Sequence, residues 1–174
     1  MSEETLGVID GRVLRIRQAR QDDLDHILWG NEHLRANRQA FLDRQARGDE
    51  IILLPTLDDQ PIGHLAVDLV RLRAEGGVYL YWFHVLDPFA RKGIGTAVVK
   101  RAEQIAVETG RHFSEIAVGK NNDAARRLYE RLGYRLLGDR VDRWIADQPD
   151  GSQVEVVDDN WVLRKPLDEQ RSDL

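Results

Sequence analysis

Two glycines separated by one residue stand in the run Arg91-Lys92-Gly93-Ile94-Gly95-Thr96, between a strongly apolar stretch and an amphipathic one. At a strand-to-helix junction, missing side chains let backbone N–H groups and the positive helix end converge on one point, which is an anion site suited to phosphate. A nucleoside-triphosphatase loop needs Gly-Lys followed by Ser or Thr, whereas Lys92 precedes Gly93. A dinucleotide fingerprint needs a small residue where Val98 stands and a βαβαβ series around it, although Glu115 lies at about the right distance for its acid. A helix-entry loop with no ligand fits the glycine spacing as well.

The second candidate run is Val118-Gly-Lys-Asn-Asn122-Asp-Ala-Ala125-Arg-Arg-Leu128-Tyr129-Glu-Arg-Leu132-Gly133-Tyr134. Asn122 suits a helix N-cap, Gly133 a C-terminal stop, and Ala125, Leu128, Tyr129 and Leu132 form one helical stripe. Taken alone, Tyr129 reads as a core aromatic with an outward hydroxyl. The chain has no cysteine, which excludes disulfides, thiolate metal sites and a Cys nucleophile. His26, His33, His64, His84 and His112 lack ligand spacing, so no metal is expected.

The elements that must position these runs follow from periodicity. Val13–Arg17 alternates as a strand, and Gln21-Asp-Asp-Leu24 opens a helix with Leu24, Ile27 and Leu28 buried. A second, exposed helix is expected over Asn31–Arg47, ending at Gly48. Glu50–Leu54 and Ile62–Leu69 flank the turn Asp58-Asp59-Gln60-Pro61 as a hairpin. Val78–Leu86 carries large apolar groups on both faces, as a central strand does. A helix from Ile94 buries Val98, Ala102 and Ile105 and closes at Gly110, followed by strand His112–Val118 and the helix Asp123–Leu132. A long closing hairpin over Tyr134–Arg164 turns at Pro149-Asp150-Gly151. Residues 1–10 and 167–174 are expected to fray.

With 174 residues, 42% of them hydrophobic, one core and one domain over 1–174 are expected. Lys and Arg number 25 against 30 Asp and Glu, so no positive field draws in nucleic acid or an anionic membrane. No stretch approaches the roughly 20 apolar residues of a membrane span, and the cytoplasm is the default compartment.

Taken together, Val85-Leu-Asp-Pro-Phe-Ala-Arg-Lys-Gly-Ile-Gly95 and Asn122–Tyr134 resemble, in order and separation, the two central motifs of the GNAT superfamily of N-acetyltransferases. The resemblance extends as an order of elements over Val13–Leu163 and in specific residues over Val85–Tyr134. It implies an α/β fold: a mixed, mostly antiparallel sheet of six to seven strands with splayed central parallel strands, the fourth and fifth, and about four helices. It further implies acetyl-CoA as cosubstrate and direct acetyl transfer to a primary amine. The backbone of Phe83, His84 and Val85 would pair with pantetheine, and the amides of Arg91, Lys92, Gly93, Ile94, Gly95 and Thr96 would wrap the diphosphate. Asn122 would bond the pantetheine arm, and Tyr129 would protonate the departing thiolate. An oxyanion would rest on the Val85 N–H.

Two positions depart from the family pattern. Ala90 stands where Arg or Gln is usual, with Arg91 and Lys92 expected to compensate. Tyr79 and Tyr81 occupy the inward face of the fourth strand, where many relatives carry a Glu or His base, and they become candidates for the acceptor site. Strict alternation turns His84 to the opposite face unless a bulge brings it round, so a water-relayed proton path or a neutral amine is expected. Bulky Tyr79, Tyr81 and Phe83 favour a small acyl group. Seven acids crowd the closing hairpin and would attract a cationic amine or simply be solvated. A homodimer through that hairpin is compatible with the sequence. The alternative function is an acyl-CoA-binding sensor without turnover, which the missing base supports and Tyr129 opposes.

Overall fold

A computed structural model of the chain describes residues 3–23, 35–148 and 150–167. Two pairs of left-handed residues, Asp10-Gly11 (φ 50° and 78°) and Asp58-Asp59 (47° and 68°), make the tight reversals of its first half. Such two-residue turns match the right-handed twist of paired strands. The first joins β1 (Glu4–Ile9) to β2 (Arg12–Gln18), and the second joins β3 (Glu50–Leu57) to β4 (Gln60–Pro61), which leads into β5 (Gly63–Asp68). The expectation that 1–10 would fray is therefore corrected over Glu4–Ile9, while residues 1 and 2 lie outside the described residues. Glu4–Ile9 is held by backbone pairing to β2 although its side chains are mostly exposed, so it lacks the apolar pattern that marks a buried strand.

Downstream come β6 (Gly77–Val85), β7 (Phe113–Gly119), β8 (Arg135–Asp147) and β9 (Gln153–Pro166). The nine-stranded sheet runs β1-β2-β3-β5-β6-β7-β9-β8, with β4 attached to β3. That exceeds the expected six to seven by β1 and the two-residue β4. Every pairing is antiparallel except β6 with β7, so the expected central parallel pair stands in the middle of the sheet. Among the described residues there are three α-helices: α1 (Arg35–Ala46), α2 (Ile94–Glu108) and α3 (Asp123–Arg131). The helix expected from Gln21 begins as a 3-10 turn, Gln21–Asp23, and its stripe of Leu24, Ile27 and Leu28 lies outside the described residues. So do His26 and His33.

The helices sort onto the two faces by which side chains each strand presents. Leu53, Leu65, Val67, Val78 and Leu80 pack with Ile94, Val98, Ala102 and Ile105 of α2 and Tyr129 of α3 in the main core. Burying a side chain such as Val98 or Ile105 is worth about 1.5–3 kcal/mol. On the other face Ile52 and Leu54 meet Leu42 of α1, with Phe41 and Trp82 against them. The chain stays held to its end in β9 and one residue beyond. Leu167 is only 4% exposed, and its N–H bonds to the His112 carbonyl at 2.8 Å, which corrects the frayed reading at that position. Among the described residues no helix is long and apolar enough to cross a membrane.

Candidate active site

After β6 ends at Val85, one 3-10 turn (Asp87–Phe89) and extended Ala90 lead into Arg91 at φ 58° and Gly93 at φ 82°. Left-handed residues just ahead of a helix produce a concave row of amides. Here the N–H groups of Arg91, Lys92, Gly93, Ile94, Gly95 and Thr96 bond to no backbone carbonyl among the described residues. The first that does is Ala97, to Gly93 at 3.1 Å. The fifteen residues of α2 add their dipole at the same point. A Cβ on Gly95 would come 3.3 Å from Phe83 Cζ and 3.6 Å from Leu128 Cδ2, so this glycine seats the loop against both β6 and α3. Lys92, expected with Arg91 to compensate for Ala90, has a partner of its own. Its ammonium pairs with Asp10 at 2.5 Å and holds that carboxyl below the usual range, because the β1–β2 turn reaches over to it.

The two central strands pair only as far as Leu80 opposite Ile116. Beyond that point β6 contains one residue more than its neighbour: His64 faces His84 and Ala66 faces Tyr81, so two steps along β5 oppose three along β6. Trp82, at φ 50°, sits inside this bulge. A Cβ on Gly63 would lie 2.6 Å from the His84 carbonyl oxygen and 3.2 Å from Val85 Cα, so only glycine admits the bulged strand. A bulge bends its strand, while β7 follows β9 through Val118 opposite Trp161 to Gly119 opposite Asn160. A gap opens between β6 and β7, and the edge of β6 from Tyr81 to Val85 faces it.

The bulge also resets which way side chains point. Trp82 joins Tyr81 on the α1 face, stacked 4.6 Å from Phe41, and Phe83 turns to the α2 face. His84 returns to the α1 face, 6.0 Å from His64. The expectation that alternation would turn His84 away from Tyr79 and Tyr81 is thus corrected, since it assumed an unbroken strand.

On the α2 face, Tyr129 is 2% exposed, packed edge-on to Tyr134 at 5.5 Å. Tyr134 shares a hydrogen bond with Ser114 of β7 at 2.8 Å. Burial alone pushes the Tyr129 hydroxyl well above the usual tyrosine range, so it is a neutral, proton-carrying group at any ordinary pH. At the start of α3, Asn122 Oδ1 accepts the Ala125 N–H at 3.1 Å, leaving the side-chain amide NH2 available.

Across the sheet, Tyr79 and Tyr81 stack with ring centroids 6.0 Å apart. Tyr81 donates its hydroxyl to Glu50 Oε1 at 2.6 Å and accepts from Arg44 at 2.8 Å, and Arg44 Nε also donates to Glu50. Burial, then Glu50, pushes the Tyr81 hydroxyl far up its range. Tyr79 accepts from Arg140 at 2.6 Å, and the Arg71 guanidinium lies 4.1 Å over its ring. A carboxylate thus does reach this face, from β3 rather than from β6. A cavity of about 810 Å³ lies elsewhere, at the far end of α2 between Lys100, Glu103, Arg111 and Lys165, and shares no residue with the loop, the gap or Tyr129.

Residues 15–134 match the model of the acetyltransferase (GNAT) family. This chain belongs to the GNAT family. It is 25% identical over 134 residues to an uncharacterised N-acetyltransferase of Methanocaldococcus jannaschii, a match covering 68% of this chain and 59% of that relative. An N-acetyltransferase from Staphylococcus aureus Mu50 has the same fold, with a TM-score of 0.70 at 16% identity over 88% of this chain and 98% of that one. An acetyltransferase of Bacillus subtilis, solved in complex with CoA, superimposes with a TM-score of 0.65 at 21% identity, again over 88% of this chain and 98% of that one.

As a GNAT protein the chain brings Phe83, Gly95 and Leu128 together, so the bulge, the loop and α3 form one assembly. Trp161 pairs with Val118, and Lys120 and Arg126 lie over its ring at 4.5 and 5.2 Å. The acids of the closing hairpin are largely engaged, Asp139 and Asp159 by Lys120, Asp142 by Arg140 and Glu155 by Arg143. Sequence reasoning missed Glu50, Arg44 and Gly63. Only Gly63 carried a readable signal, an isolated glycine inside a strand, which marks a bulge or close backbone approach.

Proposed function

We propose that this chain is an acetyl-CoA-dependent N-acetyltransferase that acetylates a primary amine by direct attack. The observation that carries the reading is the row of six amides at Arg91–Thr96 that bond to no backbone carbonyl among the described residues, next to an edge of β6 left unpaired beyond Leu80. The loop amides bind the diphosphate. The edge of Phe83–Val85 takes pantetheine as an added strand, and the Asn122 NH2 contacts its arm. Acceptor and donor then meet through the gap, one from the α1 face and the other from the α2 face. The amine nitrogen attacks the thioester carbonyl, whose oxyanion rests on the Val85 N–H. The C–S bond breaks and the thiolate takes its proton from Tyr129.

The proton shed by the amine leaves on the α1 face, where His84 is exposed beside the gap. Replacing His84 by Ala is expected to lower kcat by about 10- to 100-fold near neutral pH with acetyl-CoA affinity intact; an unchanged kcat would assign the proton to water alone. Because Lys92 is engaged by Asp10, Ala90→Arg adds a second cation beside Arg91. It is expected to tighten acetyl-CoA binding by about 0.3–1 kcal/mol, measured by calorimetry. The function itself is tested by steady-state release of CoA thiol against a panel of amines, peptides and aminoglycosides. Tight binding without release from any amine would make the chain a binding module instead.

A further inference from the structure

The strand register sets Glu50, Asp68, Tyr79 and Glu115 side by side across β3, β5, β6 and β7, on the α1 face. Three acids in a row would draw a cation if they were open to it, but each is engaged. Glu50 is held by Arg44 and Tyr81, Glu115 by Arg164, and Asp68 accepts the N–H groups of Val70 and Arg71. Between them Tyr79 is only 6% exposed, and two guanidinium groups lie over it: those of Arg71 and Arg140, 4.1 and 5.3 Å from the centre of its ring. Arg140 is fixed by Asp142 and by the Tyr79 hydroxyl. Arg71 makes no ion pair among the described residues, so its charge is opposed only by the ring beneath it. An aromatic face attracts a cation but supplies no counter-charge, and two cations on one ring repel unless an anion lies beside them.

We infer, on the reading of the chain as an amine acetyltransferase, that the acceptor carries a carboxylate besides its amine, and that Arg71 holds this carboxylate over Tyr79. A guanidinium presents paired N–H donors that match a carboxylate, and such charge-assisted bonds are roughly twice as strong as neutral ones. The ligand meets an exposed, adaptable cation in Arg71 and a fixed one in Arg140, whose charge adds to the field although its own bonds are made. Tyr81 stands where β6 parts from β7, two residues beyond Tyr79, with the ring centres 6.0 Å apart. An amine at that parting is therefore several bonds from the carboxylate, as in an ω-amino acid or the N-terminus of a short peptide, and not on the same carbon. A polyamine or aminoglycoside would instead bring more positive charge to a face whose acids are engaged.

The test sets 6-aminohexanoate against 6-aminohexanamide, which differ in charge and hardly in shape. With acetyl-CoA saturating, kcat/KM for the acid is expected to exceed that for the amide by at least about tenfold, carried by KM. Arg71→Ala is expected to bring the ratio of the two to about one, and Arg71→Glu to invert it. Both compounds are measured on one preparation, so any unfolded fraction cancels from the ratio. Calorimetry of 6-acetamidohexanoate and its carboxamide on the CoA-bound protein reads the same preference without turnover. A ratio near one in the wild type, or a ratio that Arg71→Ala leaves unchanged, would overturn the inference while leaving acetyl transfer in place. Arg71-dependent binding of 6-acetamidohexanoate with no thiol released by any amine would uphold the carboxylate site and overturn the transferase reading instead.

Discussion

Replacing Tyr129 by Phe is expected to lower kcat by about 100- to 10,000-fold, with the dissociation constant of acetyl-CoA little changed. The hydroxyl sits in an apolar pocket where burial holds it neutral, and it makes no hydrogen bond to another protein group among the described residues. Its removal therefore strands no partner, and stability should change by less than about 1 kcal/mol. That separation distinguishes an acid from a core aromatic. A structural tyrosine would leave kcat intact, and a binding residue would move acetyl-CoA affinity instead. Steady-state kinetics, calorimetry and urea unfolding on one preparation read all three quantities.

The second large effect is expected far from the reacting atoms. Gly63→Ala places a methyl group 2.6 Å from the His84 carbonyl oxygen, a backbone atom that yields only if β6 itself shifts. The cost is expected to be about 1–3 kcal/mol of stability, as for other overpacked sites. Acetyl-CoA affinity should fall by more than about tenfold, equivalent to 1.4 kcal/mol, because the edge of Phe83–Val85 loses its register. Calorimetry beside chemical denaturation separates the two losses. Affinity equal to the wild type in a folded Gly63→Ala protein would show that the bulge does not present the cofactor.

How much of this was legible in the sequence depended on whether the signal was local. The phosphate loop and α3 were readable because glycine placement, capping and the stripe ending at Tyr129 are written within a few residues. The antiparallel hairpins and the central position of β6 followed from alternation and from large apolar groups on both faces. β1 escaped notice because a mostly exposed strand has no apolar period, although Asp10-Gly11 is the turn signal of a two-residue hairpin. The bulge at Trp82 was invisible for the reason that made β6 look central: with bulky residues on both faces, one inserted residue leaves no gap in the pattern. Glu50 could not be paired with Tyr81 from sequence, since that bond spans 31 residues and depends on sheet order.

Two structural facts bear on the choice between an enzyme and a sensor. A sensor has no need of central strands that part beyond Leu80, nor of an imidazole returned to the α1 face by a bulge that only glycine at position 63 permits. A transferase by the proposed route uses both, and it needs a proton source on the opposite face, the role proposed for Tyr129.

The most direct measurement is a single turnover with acetyl-CoA carrying an isotopically labelled acetyl group, using the best amine from the panel and following the masses of acceptor and protein together. The expected result is label on the amine, CoA released in equal amount, and no label on the protein at any time. Label held by the protein, or acetyl-CoA bound through the loop and never consumed, would contradict direct transfer through the gap.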